Sequence, residues 1–345
     1  MTAERKVAFL GFGSWGTALA LLLANKGYDL ACYSRNREET EKIRRTSYND
    51  RYLPGIPLPP NIRLYSDMEP VLFQASIVIS AVPSQAFRST WEEGQSYIAK
   101  DALLVNTAKG LETDTLLRLS EISRTLLPDH PFAVLSGPSH AEEVARRMPT
   151  SVVAASLVPK EAKRVQDLFM TDRFRVYTAH DLVGVELGGA LKNIMALGAG
   201  ISDGIGFGDN AKAAMMTRGM AEIRRLGLAM GADPATFSGL AGMGDLIVTC
   251  TSFHSRNYRC GLLIGRGIRA KEAIQEIGMV VEGYYTAKAA CELADRYQVD
   301  MPISRAVYAC LCGQLTPYEA IDRLMTRSPK QEMPISRADL GPGRK

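Results

Sequence analysis

No stretch of this 345-residue chain approaches the ~18–20 unbroken apolar residues of a membrane-crossing helix. The densest candidate, 183–201, is interrupted by Glu186 and Lys192. A signal peptide is not expected either. The first apolar run, Val7–Leu10, begins too early for a basic leader, and the run at 18–24 follows a glycine loop instead of a cleavage site. No CxxC pair occurs among the six cysteines (Cys32, Cys250, Cys260, Cys291, Cys310, Cys312). Cysteines so scattered read as reduced thiols of a cytoplasmic protein, with no disulfide framework and no zinc or other metal site. Long basic blocks are missing as well. A net charge of +4 without them suits an anionic small molecule better than nucleic acid. What remains, 46% apolar and 23% charged residues, is the composition of a soluble globular protein long enough for two domains.

Up to about residue 180, short apolar runs alternate with amphipathic segments. Val7–Leu10, 30–34, 77–82, Leu103–Asn106 and Phe132–Ser136 read as buried strands, with 152–155 and 175–177 extending the sheet. The stretches 17–26, 86–98 and 115–126 read as helices between them. This βαβα rhythm predicts a parallel, doubly wound α/β sheet. The proline-rich segment 52–60 (YLPGIPLPP) cannot be regular structure and is expected as a surface loop. After His180 strand-like runs vanish, and helical patterns rich in Ala, Gly and Met continue to about Met325. A boundary near 178–184 divides the chain into 1–181, an all-α domain at 182–326, and a polar tail at 327–345. The hexapeptide MPISRA occurs at 301–306 and again at 333–338, but its flanks do not match and no solenoid repeat follows.

Gly11-Phe12-Gly13-Ser14-Trp15-Gly16 fits GxGxxG, follows the first strand and opens a helix. That is the setting of a Rossmann-type dinucleotide site. Gly11 permits the tight turn, Gly13 lets backbone approach a pyrophosphate, and Gly16 allows close helix–strand packing. The second strand ends Tyr33-Ser34-Arg35-Asn36-Arg37, with no acid before Glu38 to accept from a ribose 2′-hydroxyl. Arg35 there either meets a 2′-phosphate or is simply solvated at a helix start. Three further strand ends, 81–84, 106–110 and 136–139, point at the same cleft and bring Lys109 with them.

Lys192 stands in an apolar, small-residue segment with Gly188, Gly189, Met195 and Ala196 as its helical neighbours, none of them a carboxylate. Desolvation there lowers a lysine towards a usable general base, although a lysine snorkelling at a domain interface fits the same residues. Gly242-Met243-Gly244-Asp245 presents an acid able to hold such a lysine. Ser255-Arg256-Asn257 offers a hydroxyl, a guanidinium fork and an amide suited to phosphate.

In order along the chain, GFGSWG, Lys109-Gly110-Leu111-Glu112, SGPS, GVELGGALKNIMALGAG with SDGIGFGDNAKAA, GMGDLIVTCT, SRN and VVEGY closely resemble the bacterial-type NAD(P)-dependent glycerol-3-phosphate dehydrogenase family, from about residue 6 to 326. The resemblance implies hydride transfer between NADP(H) or NAD(H) and dihydroxyacetone phosphate, giving sn-glycerol 3-phosphate for phospholipid synthesis, by a homodimer. It maps the proton-transferring lysine onto Lys192, with Lys109 and Asp245 in the catalytic set. Substrate contacts fall on Lys109, Gly137, Ser139, Lys192, Asp245, Thr249, Ser255, Arg256 and Asn257. Dinucleotide contacts fall on Gly11, Gly13, Ser14, Trp15, Gly16, Arg35, Lys109, Ala141, Arg256, Val280 and Glu282. Phe12 departs from the alanine common at its position, and the tail matches no family pattern.

Three other enzymes and one binding protein compete. A β-hydroxyacid dehydrogenase places an asparagine one turn after its lysine, whereas Ala196 stands at that position. Tyr284 and Lys288 have the short-chain dehydrogenase spacing but lie in the second domain. A histidine-based dehydrogenase has only His140 in a strand-end setting, and a dinucleotide sensor has no need of Lys192, Asp245 and Arg256 together.

Overall fold

The computed structural model describes residues 6–329, 331 and 332. The second MPISRA copy and the rest of the polar tail lie outside the described residues. Eight strands are formed: β1 (Val7–Leu10), β2 (Leu30–Tyr33), β3 (Ile62–Tyr65), β4 (Ile77–Ser80), β5 (Leu103–Asn106), β6 (Phe132–Ser136), β7 (Thr150–Ala155) and β8 (Phe174–Ala179). They make one sheet in the order β3-β2-β1-β4-β5-β6-β7-β8. The helices among them are α1 (Ser14–Asn25), α2 (Arg37–Thr46), α3 (Glu69–Leu72), α4 (Phe87–Gly94), α5 (Leu119–Leu126), α6 (Ala141–Ala145) and α7 (Pro159–Phe169). Alternate residues of β1 serve opposite layers. Val7 and Phe9 pack with Leu19 and Leu23 of α1 and Leu168 of α7. Ala8 and Leu10 pack with Val71, Phe87, Trp91 and Ile122 from α3, α4 and α5. Burial on both faces is why the central strands read as unbroken apolar runs.

Three expectations are corrected. The sheet is mixed, since β6 and β7 pair antiparallel, while β7 and β8 pair parallel. Only the five-residue α6 lies between β6 and β7, too short to carry the chain back along the sheet for a parallel return. Strand β3 was not anticipated. Its pattern is the half-buried alternation of an edge strand, hidden behind the proline loop. The helix expected from residue 115 begins at Leu119, because Leu116 is left-handed (φ 64) and a bridge pairs Leu111 with Arg118.

From residue 182 the chain is helical: α8 (Leu182–Ile205), α9 (Asp209–Ala229), α10 (Asp245–Thr251), α11 (Arg256–Gly265), α12 (Ala270–Ile277), α13 (Glu282–Arg296), α14 (Pro302–Leu311) and α15 (Pro317–Met325). The Asp181 side chain caps α8 by accepting from Gly184 N–H at 2.9 Å. Helix α11 crosses α8 backbone to backbone. A Cβ on Gly261 would sit 2.1 Å from the Leu197 carbonyl, and one on Gly200 would sit 2.0 Å from that of Tyr258. By length and composition α8 is sufficient to cross a membrane, contrary to the first reading, but 94% of its apolar window is buried inside the protein. Its charges are all paired, Asp203 near the C-terminal end with Lys212 at 2.6 Å. Glu186 accepts from Arg118 at 2.7 Å and from Ser120 N–H at 2.8 Å, and Lys192 is met by Asp245.

Candidate active site

The carboxyl ends of β1, β2, β4 and β5 and the turn after β6 open onto one cleft of about 1060 Å³, closed on the far side by α8, α10, α11 and α13. At its first end lies the glycine loop. Gly11 takes a positive φ of 97°, where an added Cβ would meet the Ala81 carbonyl at 2.8 Å. A Cβ on Gly16 would strike the Gly11 carbonyl at 2.3 Å and come within 3.2 Å of Ala81 Cβ, so Gly16 serves the turn as well as the packing against β4. Gly13 has nothing within 4 Å of a Cβ position, which leaves the approach to the α1 N-terminus open. Helix α1 starts at Ser14, earlier than expected, so the Ser14, Trp15 and Gly16 N–H groups belong to its first turn. With no side-chain cap and no acid in that turn, this end fits a dinucleotide pyrophosphate. Arg35 lines the cleft past the end of β2, while Arg37 turns to Asp67 at 3.7 Å.

At the inner end two lysines from different parts of the fold share one carboxylate. Lys109, beyond β5, donates to Asp245 Oδ2 at 2.7 Å and to the Gly137 carbonyl at 2.8 Å. Lys192, on α8, donates to Asp245 Oδ1 at 2.5 Å and to Thr249 Oγ1 at 2.6 Å. The acid is placed by the π-helical turn Leu240–Gly244, which runs straight into α10. Thr249, one turn on, donates its hydroxyl to the Asp245 carbonyl. Lys192 is 5% exposed and Asp245 1%. Burial lowers the Lys192 ammonium to about 8, with Asp245 opposing the shift and Lys109 adding to it. Burial works to raise the Asp245 carboxyl, but the two ammonium groups outweigh it and hold the group below the usual range. The cluster therefore carries net positive charge in a dry setting, and Nζ of Lys192 retains a third hydrogen for a ligand.

Ser255 caps α11, accepting from Tyr258 N–H at 3.2 Å, and Arg256 is the first residue of that helix. Burial depresses the Arg256 guanidinium, against the pull of Glu142 and Glu282. Asn257, expected to contact the substrate phosphate, lines the cleft and also braces its wall. Its Nδ2 donates to Asn193 Oδ1 at 3.0 Å, and its Oδ1 accepts from Gly283 N–H at 2.9 Å. Asn193 in turn donates to the Lys109 carbonyl at 3.0 Å, so the two amides tie four segments together behind the lysines: the loop after β5, α8, α11 and the start of α13. Glu282 accepts from both N–H and O–H of Ser84 across the cleft. Burial pushes its carboxyl up, with the Ser84 bonds opposing.

Of the candidate residues, Gly11, Gly13, Ser14, Trp15, Arg35, Lys109, Ser139, Ala141, Lys192, Asp245, Thr249, Ser255, Arg256, Asn257, Val280 and Glu282 line this cleft. Gly16 and Gly137 stand just behind its wall. The Gly137 carbonyl is taken by Lys109 and by the Ser139 hydroxyl at 2.8 Å. His140 also reaches the cleft, where its ring lies 5.5 Å from that of His254 and burial lowers its pKa. Asn193 and the 49–51 segment carry no assigned role in the sequence reading, and Ser84 enters it only as part of the strand end 81–84. Only Asn193 carried a signal, as a second polar residue beside Lys192 in an apolar helix.

Family models for the N-terminal and C-terminal parts of NAD-dependent glycerol-3-phosphate dehydrogenase match residues 6–162 and 181–322. The glycerol-3-phosphate dehydrogenase [NAD(P)+] of Pelotomaculum thermopropionicum is 52% identical over 331 residues, covering 95% of both chains. That of Bacillus subtilis is 49% identical over 332 residues, covering 95% of this chain and 96% of its own. The crystal structure of glycerol-3-phosphate dehydrogenase from Coxiella burnetii superposes with a TM-score of 0.91 at 40% identity, covering 94% of this chain and 99% of that one.

Proposed function

Since the chain belongs to the NAD-dependent glycerol-3-phosphate dehydrogenase family and interconverts dihydroxyacetone phosphate and glycerol 3-phosphate with NAD(P)H, we propose that Lys192 is its proton-transferring residue. The observation that carries this role is the buried carboxylate of Asp245 shared between Lys109 and Lys192 at the inner end of a cleft whose outer end is a glycine loop. Bound NAD(P)H supplies the hydride. The chain's part is to hold the ketone and to provide the proton. Lys192 gives a proton from Nζ to the ketone oxygen in reduction and takes it back in oxidation. A pKa of about 8 suits both directions. Lys109 adds positive charge beside the oxygen as negative charge develops there. Asp245 and Thr249 keep Nζ of Lys192 aimed. Ser255 and Arg256 at the start of α11 bind the substrate phosphate, and that non-reacting end orients the carbonyl. Asn257 supports them through Asn193 and keeps one Nδ2 hydrogen for the phosphate. Gly11, Gly13, Ser14, Trp15 and Gly16 hold the pyrophosphate, Arg35 the 2′-phosphate of NADP, and Ala141, Val280 and Glu282 complete the dinucleotide wall.

Residues 1–181 serve as the dinucleotide domain and 182–326 as the substrate domain. A cytoplasmic homodimer supplying phospholipid synthesis is the setting we infer. Six free thiols, five of them buried, support the reducing compartment. The test is oxidation of NADPH on adding dihydroxyacetone phosphate. Lys192→Ala should lose about 10²–10⁴ of turnover while still binding the dinucleotide. A folded Lys192→Ala protein with near wild-type turnover excludes the role.

A further inference from the structure

The proline-rich segment after α2 is not merely a surface loop. It is strapped onto the glycine loop. Asn49, 1% exposed, donates through Nδ2 to the Phe12 carbonyl at 2.9 Å and to Thr17 Oγ1 at 2.7 Å. Ser14 donates its hydroxyl to the Tyr52 carbonyl at 2.7 Å, and a bridge between Tyr48 and Pro57 closes the base of the strap. Arg51 lies between these two anchors and lines the cleft. The neighbouring Asp50 is engaged elsewhere, accepting from Gly55 N–H at 3.1 Å. The guanidinium of Arg51 rests only on the Tyr52 ring, 5.3 Å from its centroid.

Three arginines line this cleft: Arg35, Arg51 and Arg256. None has a hydrogen-bonded or ion-paired partner among the described residues. A reduced NADP dinucleotide with a phosphorylated ketone brings three anionic centres into one cleft, namely a 2′-phosphate, a pyrophosphate and the substrate phosphate. Arg35 stands past the end of β2 and Arg256 opens α11 in the helical domain. Only Arg51 is carried by a segment bonded to both Phe12 and Ser14 of the glycine loop. We propose that Arg51 is the cation that binds the dinucleotide pyrophosphate, reaching it from the strap while the α1 N–H groups reach it from the other side. This rests on the dinucleotide reading of the cleft and adds a side chain to what was a backbone-only cradle. The fork of a guanidinium matches a phosphate pair better than the point charge of a lysine does.

Titrations of NADH and NADPH against the full-length protein and its R51Q and R51K variants test the assignment. R51Q should raise both dissociation constants in parallel, by about ten- to a hundredfold, because both cofactors carry the pyrophosphate. R51K, which keeps the charge but not the fork, should recover only part of the loss, and the substrate KM at saturating dinucleotide should not move. Unchanged dissociation constants for R51Q overturn the proposal, as does weakening confined to NADPH, which would assign Arg51 to the 2′-phosphate. Wild-type protein that binds neither dinucleotide would instead retire the cofactor reading itself, so the two failures are distinguishable.

Discussion

Replacing Asp245 by asparagine tests the electrostatics of the lysine pair directly. In the role proposed for Lys192, reduction of the ketone needs its protonated form, so kcat/KM for dihydroxyacetone phosphate should hold below the Lys192 pKa and fall as pH rises through about 8. Oxidation of glycerol 3-phosphate needs the neutral amine and should rise through the same value. Asp245 is what keeps the proton on Lys192 against burial and against Lys109. Unit charges 2.5 Å apart attract by roughly 6–7 kcal/mol at an effective dielectric of ~20. If a quarter of that survives the cost of desolvating the carboxylate, its loss lowers Lys192 by about one unit, since a unit is about 1.4 kcal/mol. Asparagine keeps the shape and one acceptor, so the side chain stays in place while the charge goes. Lys109 is then uncompensated beside Lys192 and pushes in the same direction. The alkaline limb of the reduction profile should move from near 8 to about 7, leaving roughly a tenth of the lysine protonated at pH 8 instead of half. The assay is initial-rate NADPH oxidation across pH for both proteins, with the reverse reaction followed in parallel. A uniform drop in rate with both limbs unmoved would refute the reasoning and leave Asp245 a purely orienting group.

Arg256→Ala should damage kcat/KM for dihydroxyacetone phosphate far more than for unphosphorylated dihydroxyacetone. Equal losses on the two substrates would remove Arg256 from the phosphate. Arg35→Ala should weaken NADPH by about ten- to a hundredfold and NADH much less, because a charge-assisted bond to phosphate is worth about 1.5–3 kcal/mol. Parallel weakening in paired titrations would reduce Arg35 to stacking on adenine. Gly261→Ala forces a methyl group against the Leu197 carbonyl and should destabilise the protein by about 1–3 kcal/mol or more. An unchanged urea midpoint would show that α8 and α11 separate freely.

Much of the cofactor side was legible from local pattern. The glycine motif, its strand and its helix are neighbours in the chain. Each glycine has a local reason: Gly11 for its positive φ, Gly16 for its closeness to the Gly11 carbonyl. The buried strands announced themselves as apolar runs because both faces are covered, whereas β3 is half-exposed and follows a proline loop that masked its alternation. The antiparallel turn of β7 carried no local signal, since strand direction depends on where the connecting chain crosses the sheet.

Sequence alone determined which residues had no local explanation, above all a lysine in a small-residue helix without a carboxylate in reach. It also determined the kind of answer, because desolvation and small neighbours are properties of the helix itself. The sequence offered Asp245 as an acid able to hold that lysine; tertiary structure decided the pairing, across 53 residues, and showed that Lys109 meets the same carboxylate from the far wall of the cleft. It also showed Asn257 bracing Asn193 and Gly283, a part that an amide does not announce in the chain, where it looks the same whether its two ends meet solvent, phosphate or backbone. The physical reason is common to these cases. Propensity, capping and turn chemistry act over a few residues, so they are written locally. Buried charges and amides are satisfied by whatever packing brings within about 3 Å, and packing joins positions that the chain keeps far apart.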